Sequence, residues 1–298
     1  MMASEHNGPS ILDTWPHYVK TMRGQLGSAE QFLDAWQHRY CCRWPALRRQ
    51  CLQDYEDQGD SWRKCATRWL YPVVRRQAGR MAGARANLLE VIPQIDACYR
   101  ALVQRAPRMR YVIMVDIGFA GWACDHGRCR TVLLGLAQIA RLGWHYKRSL
   151  RDLTAHEVAH HVHGIWRLRA RRNEPVPGAL GELYSEGFAQ RMGHLLGGEE
   201  WQQAARTWPN WLESCRRQRP RLAAKYLRAI RQDRTVRAFF GDWYQVEGLS
   251  MTGYNLGHAF MRWLEHSGMP LTHIAVLGAA ELRERAEEFL SSAARSRA

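Results

Sequence analysis

Two histidines and a glutamate at residues 156–160 have the spacing of a metal site on a helix. The segment reads His-Glu-Val-Ala-His. On an α-helix His156 and His160 lie one turn apart, about 40° around the axis, so both imidazoles project from one face and can bind one ion. Glu157 is rotated about 100° from His156, which places its carboxylate beside the ion, where it can take a proton from water. The pattern predicts a zinc site that activates water, with Glu157 as the general base.

A third ligand is expected from a second helix, because catalytic zinc sites use three protein ligands and leave one position open. Residues 183–189, Leu-Tyr-Ser-Glu-Gly-Phe-Ala, supply Glu186 as the candidate. The small residues Gly187 and Ala189 would let the two helices approach closely enough to share an ion. Glu182, one helical turn before Glu186, is a rival ligand or a group that orients an imidazole.

The His-Glu-x-x-His segment and the Glu-Gly-Phe-Ala segment at 186–189 together resemble the gluzincin metallopeptidases, which include thermolysin and the aminopeptidase N family. In those families the glutamate of the second motif is the third zinc ligand, which implies that role for Glu186. The resemblance implies a gluzincin-like fold, zinc as cofactor and hydrolysis of peptide bonds in a peptide or protein substrate. The chain has no Gly-x-Met-Glu-Asn segment, and 25 residues separate His160 from Glu186, more than in the aminopeptidase N family. The resemblance therefore does not imply that this chain has aminopeptidase specificity.

Residues 253–257, Gly-Tyr-Asn-Leu-Gly, resemble a Gly-Tyr-x-x-Gly segment of a bacterial group of predicted zinc proteases with gluzincin-like motifs, and that match covers roughly residues 110–290. In aminopeptidase N relatives a tyrosine of the later helical part hydrogen-bonds the oxyanion of the tetrahedral intermediate. The resemblance implies that role for Tyr254. His258, four residues later on the same face, is the alternative, and packing or helix capping is an alternative for both.

The elements that would position these residues are mainly helical. Apolar residues recur at spacings of three and four over residues 11–107, and helices are expected again at 150–170, 179–196, 199–206, 220–233, 251–267 and 279–291. Thr154 is placed to cap or begin the helix that carries His156. Two runs rich in β-branched residues, 110–118 and 130–136, predict a two-stranded antiparallel unit, one strand of which would form the edge that pairs with extended peptide.

We therefore expect an α+β fold, mainly α, with a small antiparallel sheet. Residues 1–107 would form a helical region and residues 108–298 a zincin-like catalytic region. A further candidate is the segment 124–129, in which Cys124, His126 and Cys129 either bind zinc or lie in a polar turn between two strands. His161, His163 and His194 are expected at the surface or behind the ligands.

The composition restricts the class of protein. With 298 residues, 46% of them hydrophobic and 24% charged, the chain has enough apolar residues for a core, which excludes a disordered protein. Eight cysteines without a regular framework predict free thiols in a reducing compartment. The chain has no apolar run of about 18 residues, and its first residues lack the basic start and hydrophobic middle of a signal peptide, so a cytoplasmic location is expected.

The formal net charge of +15 raises the question of a polyanionic partner. Only four of the 43 basic residues are lysines, a bias that a GC-rich genome can produce, and the clusters at 167–172 and 216–221 are not interleaved with aromatic residues. Nucleic acid is therefore not the expected partner. The preferred function is a zinc peptidase; the alternatives are a catalytically silent zincin-fold binding protein and a polyanion-binding basic protein.

Overall fold

The structure is a computed structural model that describes residues 8–24, 27–57, 61–116, 118–126, 129–172, 174–198 and 201–296. The fold is mainly helical with one small sheet, which confirms the α+β, mainly α, class. The chain divides into two compact units, Met1–Thr154 and Ala155–Ala298, whereas the sequence predicts a boundary after residue 107. The sheet belongs to the first unit. None of the described helices is both long and apolar enough to cross a lipid bilayer.

Among the described residues of the first unit, the sheet has four strands in the order β1-β2-β4-β3. The strands are β1 (Ser10–Asp13), β2 (Met109–Met114), β3 (Gly121–His126) and β4 (Cys129–Gly135). Strand β2 pairs in parallel with both β1 and β4, and β3 pairs with β4 antiparallel, so that Tyr111 lies opposite Val132 and Trp122 opposite Leu133. The two inner strands, β2 and β4, have mostly buried side chains. A strand that has neighbours on both sides needs such apolar residues.

The prediction of a two-stranded antiparallel unit was wrong. The two predicted runs exist as β2 and β4, but they are parallel neighbours, because a third strand lies between them in the chain. Strand β3 returns along β4 as its hairpin partner, and its sequence Gly-Trp-Ala-Cys-Asp-His lacks the β-branched residues that mark a strand. The edges of the sheet are therefore β1 and β3, not the runs 110–118 and 130–136.

In the described part of the first unit, seven helices precede or follow the strands. They are α1 (Trp15–Met22), α2 (Ala29–Ala35), α3 (Pro45–Asp57), α4 (Trp62–Cys65), α5 (Tyr71–Arg76), α6 (Ala78–Leu102) and α7 (Leu136–Leu142), with π-helical turns at Trp36–Tyr40 and Ala66–Leu70 and a 3-10 turn at Cys41–Arg43. Two fully buried aromatics join this region to the sheet: Trp36 Nε1 donates to the carbonyl of Val115 at 2.9 Å, and the amide of Val115 donates to Tyr40 Oη at 3.0 Å. The large aromatics thus form core and also satisfy backbone groups at the end of β2.

Helix α8 (Lys147–Arg169) includes the boundary between the units, and the residues that the structure describes in the second unit form six further helices. These are α9 (Gly178–Gly197), α10 (Gln202–Thr207), α11 (Trp211–Arg231), α12 (Thr252–His266), α13 (Leu271–Ile274) and α14 (Ala279–Arg295). Helix α9 packs along α12, and α11 packs along α14. Helices α11 and α14 are amphipathic and pack through their apolar faces, whereas α9 is buried on most of its sides.

Two helix starts differ from the prediction. Helix α8 begins at Lys147, so Thr154 is a fully buried residue inside the helix and not its cap. Helix α11 begins at Trp211 and continues through Pro220, where the sequence analysis placed its start. Burial of Trp211 and Cys215 on the first turns offsets the hydrogen bond that proline removes. The helix expected at 199–206 is α10, and residues 199 and 200 lie outside the described part of the chain.

Candidate metal centre

Helix α8 brings two imidazoles together through its own periodicity. His156 and His160 are one turn apart, and their rings are perpendicular, with centroids 4.9 Å apart. The two Nε2 atoms lie 3.2 Å from each other. Two imidazole nitrogens that face each other at this distance can share at most one proton between them, so a cation that accepts both lone pairs would satisfy the arrangement better.

Helix α9 adds a carboxylate to the same point. Glu186 Oε2 is 3.2 Å from His156 Nε2 and 3.4 Å from His160 Nε2. Among the residues that the structure describes, these three side chains form the one group of three or more His, Cys, Asp or Glu whose ligand atoms lie within 4.8 Å of one another. Cys124, His126 and Cys129 do not form such a group: Cys124 and His126 lie on β3, and Cys129 opens β4 opposite His126.

The triangle formed by the three ligand atoms fits zinc. Two ligands at the usual Zn–N and Zn–O distances in a tetrahedral site lie about 3.3 Å apart, and the three edges here measure 3.2, 3.2 and 3.4 Å. Two imidazoles and one carboxylate are also a donor set that zinc uses in catalytic sites. The side chains are 9% exposed for His156 and 19% exposed for His160 and Glu186, so the triangle is largely buried but retains a path to solvent.

The electrostatics of the site favour a positive charge where the three side chains meet. Burial lowers the pKa of His160, but the carboxylate of Glu186, followed by those of Glu157 and Glu182, raises it more, to about 9. Burial raises the pKa of Glu186, yet the two histidines hold it below its ordinary value. The carboxylate therefore stays ionised, and a metal cation would supply the charge that a proton otherwise provides.

Glu157 and Glu182 lie near the triangle without belonging to it. Glu157 is 7% exposed, and its carboxylate raises the pKa of both His160 and Tyr254, which places it within electrostatic range of both. The Glu182 residue as a whole is exposed, but its carboxyl is partly buried, and that burial, followed by repulsion from Glu186, raises its pKa. Of the two rival carboxylates on α9, Glu186 is the one that meets the imidazoles.

Helix α12 places Tyr254 against the site. Its ring centroid is 5.6 Å from that of His156, and after burial the carboxylates of Glu186 and Glu157 are the largest causes of its raised pKa. His258 lies one turn later and contacts different residues. Its Nε2 is 3.2 Å from His194 Nδ1, and its ring centroid is 5.2 Å from that of Trp201. Tyr254 is thus the oxyanion candidate that contacts a member of the triangle.

Glycines set the distances between the three helices that build the site. A Cβ added at Gly193 of α9 would lie 3.0 Å from His156 Cα, so α9 approaches α8 at this glycine. Gly187 contacts α12 instead: its added Cβ would lie 2.5 Å from the carbonyl oxygen of Gly257. The expectation that Gly187 faces the helix of His156 was therefore wrong, because that side of α9 is covered by α12.

Ser185 is a site residue that the sequence analysis missed. Its Oγ lies 3.4 Å from His160 Nδ1. When Nε2 serves as ligand, Nδ1 carries the hydrogen and donates it to the serine, which holds the ring in a metal-binding orientation. The role of Gly193 was also not predicted. The signal for it is its position seven residues after Glu186, because that spacing puts both residues on one face of α9.

The three further histidines are all buried, with exposed fractions of 4% for His161 and His194 and 6% for His163. The possibility that they lie at the surface was wrong. His163 stacks on Phe188 with ring centroids 4.3 Å apart, and His194 Nε2 is 2.6 Å from Gln190 Nε2. They are core residues of the second unit, and none belongs to the ligand triangle.

Comparison with protein-family models, curated proteins and solved structures gave no match.

Proposed function

We propose that this chain is a zinc-dependent peptidase of the gluzincin type, in which His156, His160 and Glu186 hold the metal. The observation that carries the proposal is the triangle of ligand atoms, whose edges of 3.2 to 3.4 Å suit one tetrahedral zinc ion. The resemblance of residues 156–160 and 186–189 to the gluzincin motifs supports peptide as the substrate.

Each protein group has a defined task in this mechanism. Zinc, when bound, supplies a Lewis acid that polarises the scissile carbonyl and makes water a usable nucleophile near neutral pH. Glu157 accepts a proton from the attacking water at its carboxylate and passes it to the nitrogen of the leaving amine. The hydroxyl of Tyr254 donates a hydrogen bond to the oxyanion that forms on the carbonyl oxygen.

Two properties of these groups support their tasks. Glu157 is almost fully buried and lies within electrostatic range of His160, so its carboxylate is held beside the ligands rather than in bulk water. Tyr254 keeps its proton, because burial and the surrounding carboxylates raise its pKa well above the ordinary value. A protonated hydroxyl is the form that can donate to an oxyanion.

The test combines metal analysis with hydrolysis of a broad peptide library, read by mass spectrometry. We expect one zinc ion per chain, and loss of that zinc in His156→Ala. His266→Ala, which removes an exposed imidazole of α12, is the matched control and should keep the zinc. Zinc retained by His156→Ala would contradict the proposed ligand set.

The catalytic role is tested separately. Glu157→Gln should keep the zinc and lose hydrolysis by about 10²-fold to 10⁴-fold, because the amide cannot accept the proton. Glu182→Gln removes a carboxylate that lies outside the triangle, and should keep both zinc and hydrolysis. Unchanged turnover in Glu157→Gln, or a zinc-loaded protein that cleaves no library member, would exclude this mechanism.

A further inference from the structure

Residues 61–89 of the first unit form the longest stretch of the chain without an acidic residue. Seven basic residues fall in it: Arg63, Lys64, Arg68, Arg75, Arg76, Arg80 and Arg85. Arg63 pairs with Asp34, and Arg85 with Asp13. Among the residues that the structure describes, the other five have no carboxylate partner, and all five are exposed.

This concentration of charge is local and does not follow from the arginine content of the chain alone. Helix α14 is also rich in arginine, but its Arg283 and Arg285 pair with Glu287 and Glu288 of the same helix. Within the described part of the chain, the five cations of 61–89 without a carboxylate partner form no such ion pair, although Glu30 lies near Lys64 and Arg68. They produce a positive potential that is available to an external anion.

Aromatic rings alternate with these cations. The guanidinium of Arg68 lies over the ring of Trp69 at 4.7 Å, and that of Arg75 lies over Tyr71 at 5.7 Å. A second guanidinium, from Arg141 of α7, lies over Trp69 at 5.9 Å. Trp69 is nevertheless 36% exposed. Aromatic rings and guanidinium planes are the surfaces on which unpaired nucleobases stack.

A cleft of about 500 Å³ opens beside the same residues. Its lining includes the cations of Arg63, Lys64 and Arg68, with Leu33 and Thr67 between them. The cleft is wide open to solvent, so a bound group would contact it on one side only. Glu30 also faces the cleft, and as a hydrogen-bond acceptor it suits a sugar hydroxyl or an exocyclic amine rather than a phosphate.

We infer that this basic surface, made of Lys64, Arg68, Trp69, Arg75, Arg76 and Arg80, binds single-stranded nucleic acid. The cations bind phosphates, bases stack against Trp69 and the guanidinium planes that lie over its ring, and the open cleft contacts one nucleotide unit. An acidic peptide would use the cations but leave the rings and the cleft without a function. A duplex would hide the bases from the rings, and a membrane surface would not enter the cleft. The inference is independent of the proposed peptidase activity.

The test uses the full chain and fluorescently labelled single-stranded 20-nucleotide RNA and DNA, with anisotropy measured at several salt concentrations. Three other ligands are measured for comparison: a duplex of the same sequence, polyglutamate, and vesicles of anionic phospholipid. We expect the single strands to bind most tightly, with log K falling linearly as log salt rises. Tighter binding of polyglutamate, of the vesicles or of the duplex would overturn the inference, as would no binding at low salt.

Charge-reversal variants separate the basic surface from the net charge of the protein. Lys64→Glu combined with Arg68→Glu should weaken single-strand binding by about tenfold or more at 0.1 M salt, and should reduce the salt slope by about 1.4 if two phosphate contacts are lost. Arg216→Glu combined with Arg217→Glu changes two exposed arginines of α11 and lowers the net charge equally, so it is the matched control. Equal weakening by both pairs would show that binding is only a property of the overall charge.

Stacking is tested at Trp69. Trp69→Ala should weaken binding by about fivefold to tenfold or more, since base stacking contributes about 1 to 3 kcal/mol, and Trp69→Phe should restore most of it. The loss should persist at high salt, because stacking does not release counterions. Bound zinc and the circular dichroism spectrum should stay unchanged in every variant. If Trp69→Ala binds as tightly as the unmodified chain, the aromatic part of the surface has no role and the inference fails.

Discussion

Gly187 of α9 and Gly257 of α12 are in direct backbone contact. A Cβ at Gly187 would lie 2.5 Å from the carbonyl oxygen of Gly257, and a Cβ at Gly257 would lie 2.8 Å from Gly187 Cα. Gly187 follows Glu186 in the chain, and Gly257 lies one turn after Tyr254. The contact therefore sets the distance between a proposed ligand and the proposed oxyanion donor.

Gly257→Ala should separate α9 from α12, because the added methyl group would meet backbone atoms that cannot rotate away. We expect the free energy of unfolding to fall by about 1 to 3 kcal/mol, and the zinc affinity to fall as Glu186 moves. Urea unfolding and competition with a zinc chelator measure the two effects. Gly83→Ala in α6 is the control, since a Cβ there meets nothing within 4 Å, and it should stabilise the protein slightly.

Ser185→Ala should weaken zinc binding, because it removes the group that orients the imidazole of His160 through Nδ1. The hydrogen bond is long, at 3.4 Å, so we expect a loss of about tenfold, at the lower end of the range for such partners. A zinc-chelator competition assay measures it. Ser292→Ala, on the exposed face of α14, is the control. Equal affinities for the two variants would show that Ser185 does not orient the ligand.

Tyr254→Phe should keep zinc and stability but lower kcat by about 10²-fold to 10³-fold, because it removes one hydrogen bond that forms only in the transition state. KM should change little. The exposed Tyr244, changed to Phe, is the matched control. A drop in zinc content or in unfolding free energy with unchanged kcat would assign Tyr254 to packing against His156 instead.

The stability of the second unit should depend on pH through His163. Burial, followed by the nearby Arg167 and His160, lowers the pKa of His163 to about 3. The unfolded chain takes up a proton near pH 6.5 that the folded chain refuses, so the stabilising contribution is complete above pH 6.5 and is lost as the pH falls toward 3. Each such histidine adds a slope of about 1.4 kcal/mol per pH unit.

His163→Gln should therefore reduce the pH dependence of unfolding by about that slope between pH 4.5 and 6. Urea unfolding of zinc-free protein measures it without interference from metal release. His266→Gln on the exposed end of α12 is the control. An unchanged slope in His163→Gln would mean that His163 is protonated in the folded protein.

The features that depend on local periodicity were the ones best predicted from the sequence. The spacing of His156 and His160 brings their rings together on any regular helix, and the segment containing Glu186 was identified as a second helix. The structure places Glu186 within 3.4 Å of both imidazoles. The metal and the catalytic roles stay predictions, tested by the experiments above.

Features that depend on contacts between distant segments could not be predicted from the spacing of residues in the sequence. Strand β3 was missed because it has no β-branched residue and contains Gly121 and Asp125, which are depleted in strands, so that its pairing with β4 defines it. The parallel pairing of β2 with β4 follows from that missed strand. Likewise, the composition of residues 61–76 shows cations beside aromatics, but the cleft beside them forms only when α2 packs near α4.

By itself, the sequence determined that the chain is mainly helical and that His156 and His160 share one helix face, because both follow from interactions between residues three and four positions apart. The tertiary structure decided which helix each glycine contacts, that Glu186 rather than Glu182 meets the imidazoles, and that Tyr254 rather than His258 lies against His156. Those outcomes depend on how the faces of α8, α9 and α12 pack, and packing is selected by the shape of all three helices together rather than by any single segment.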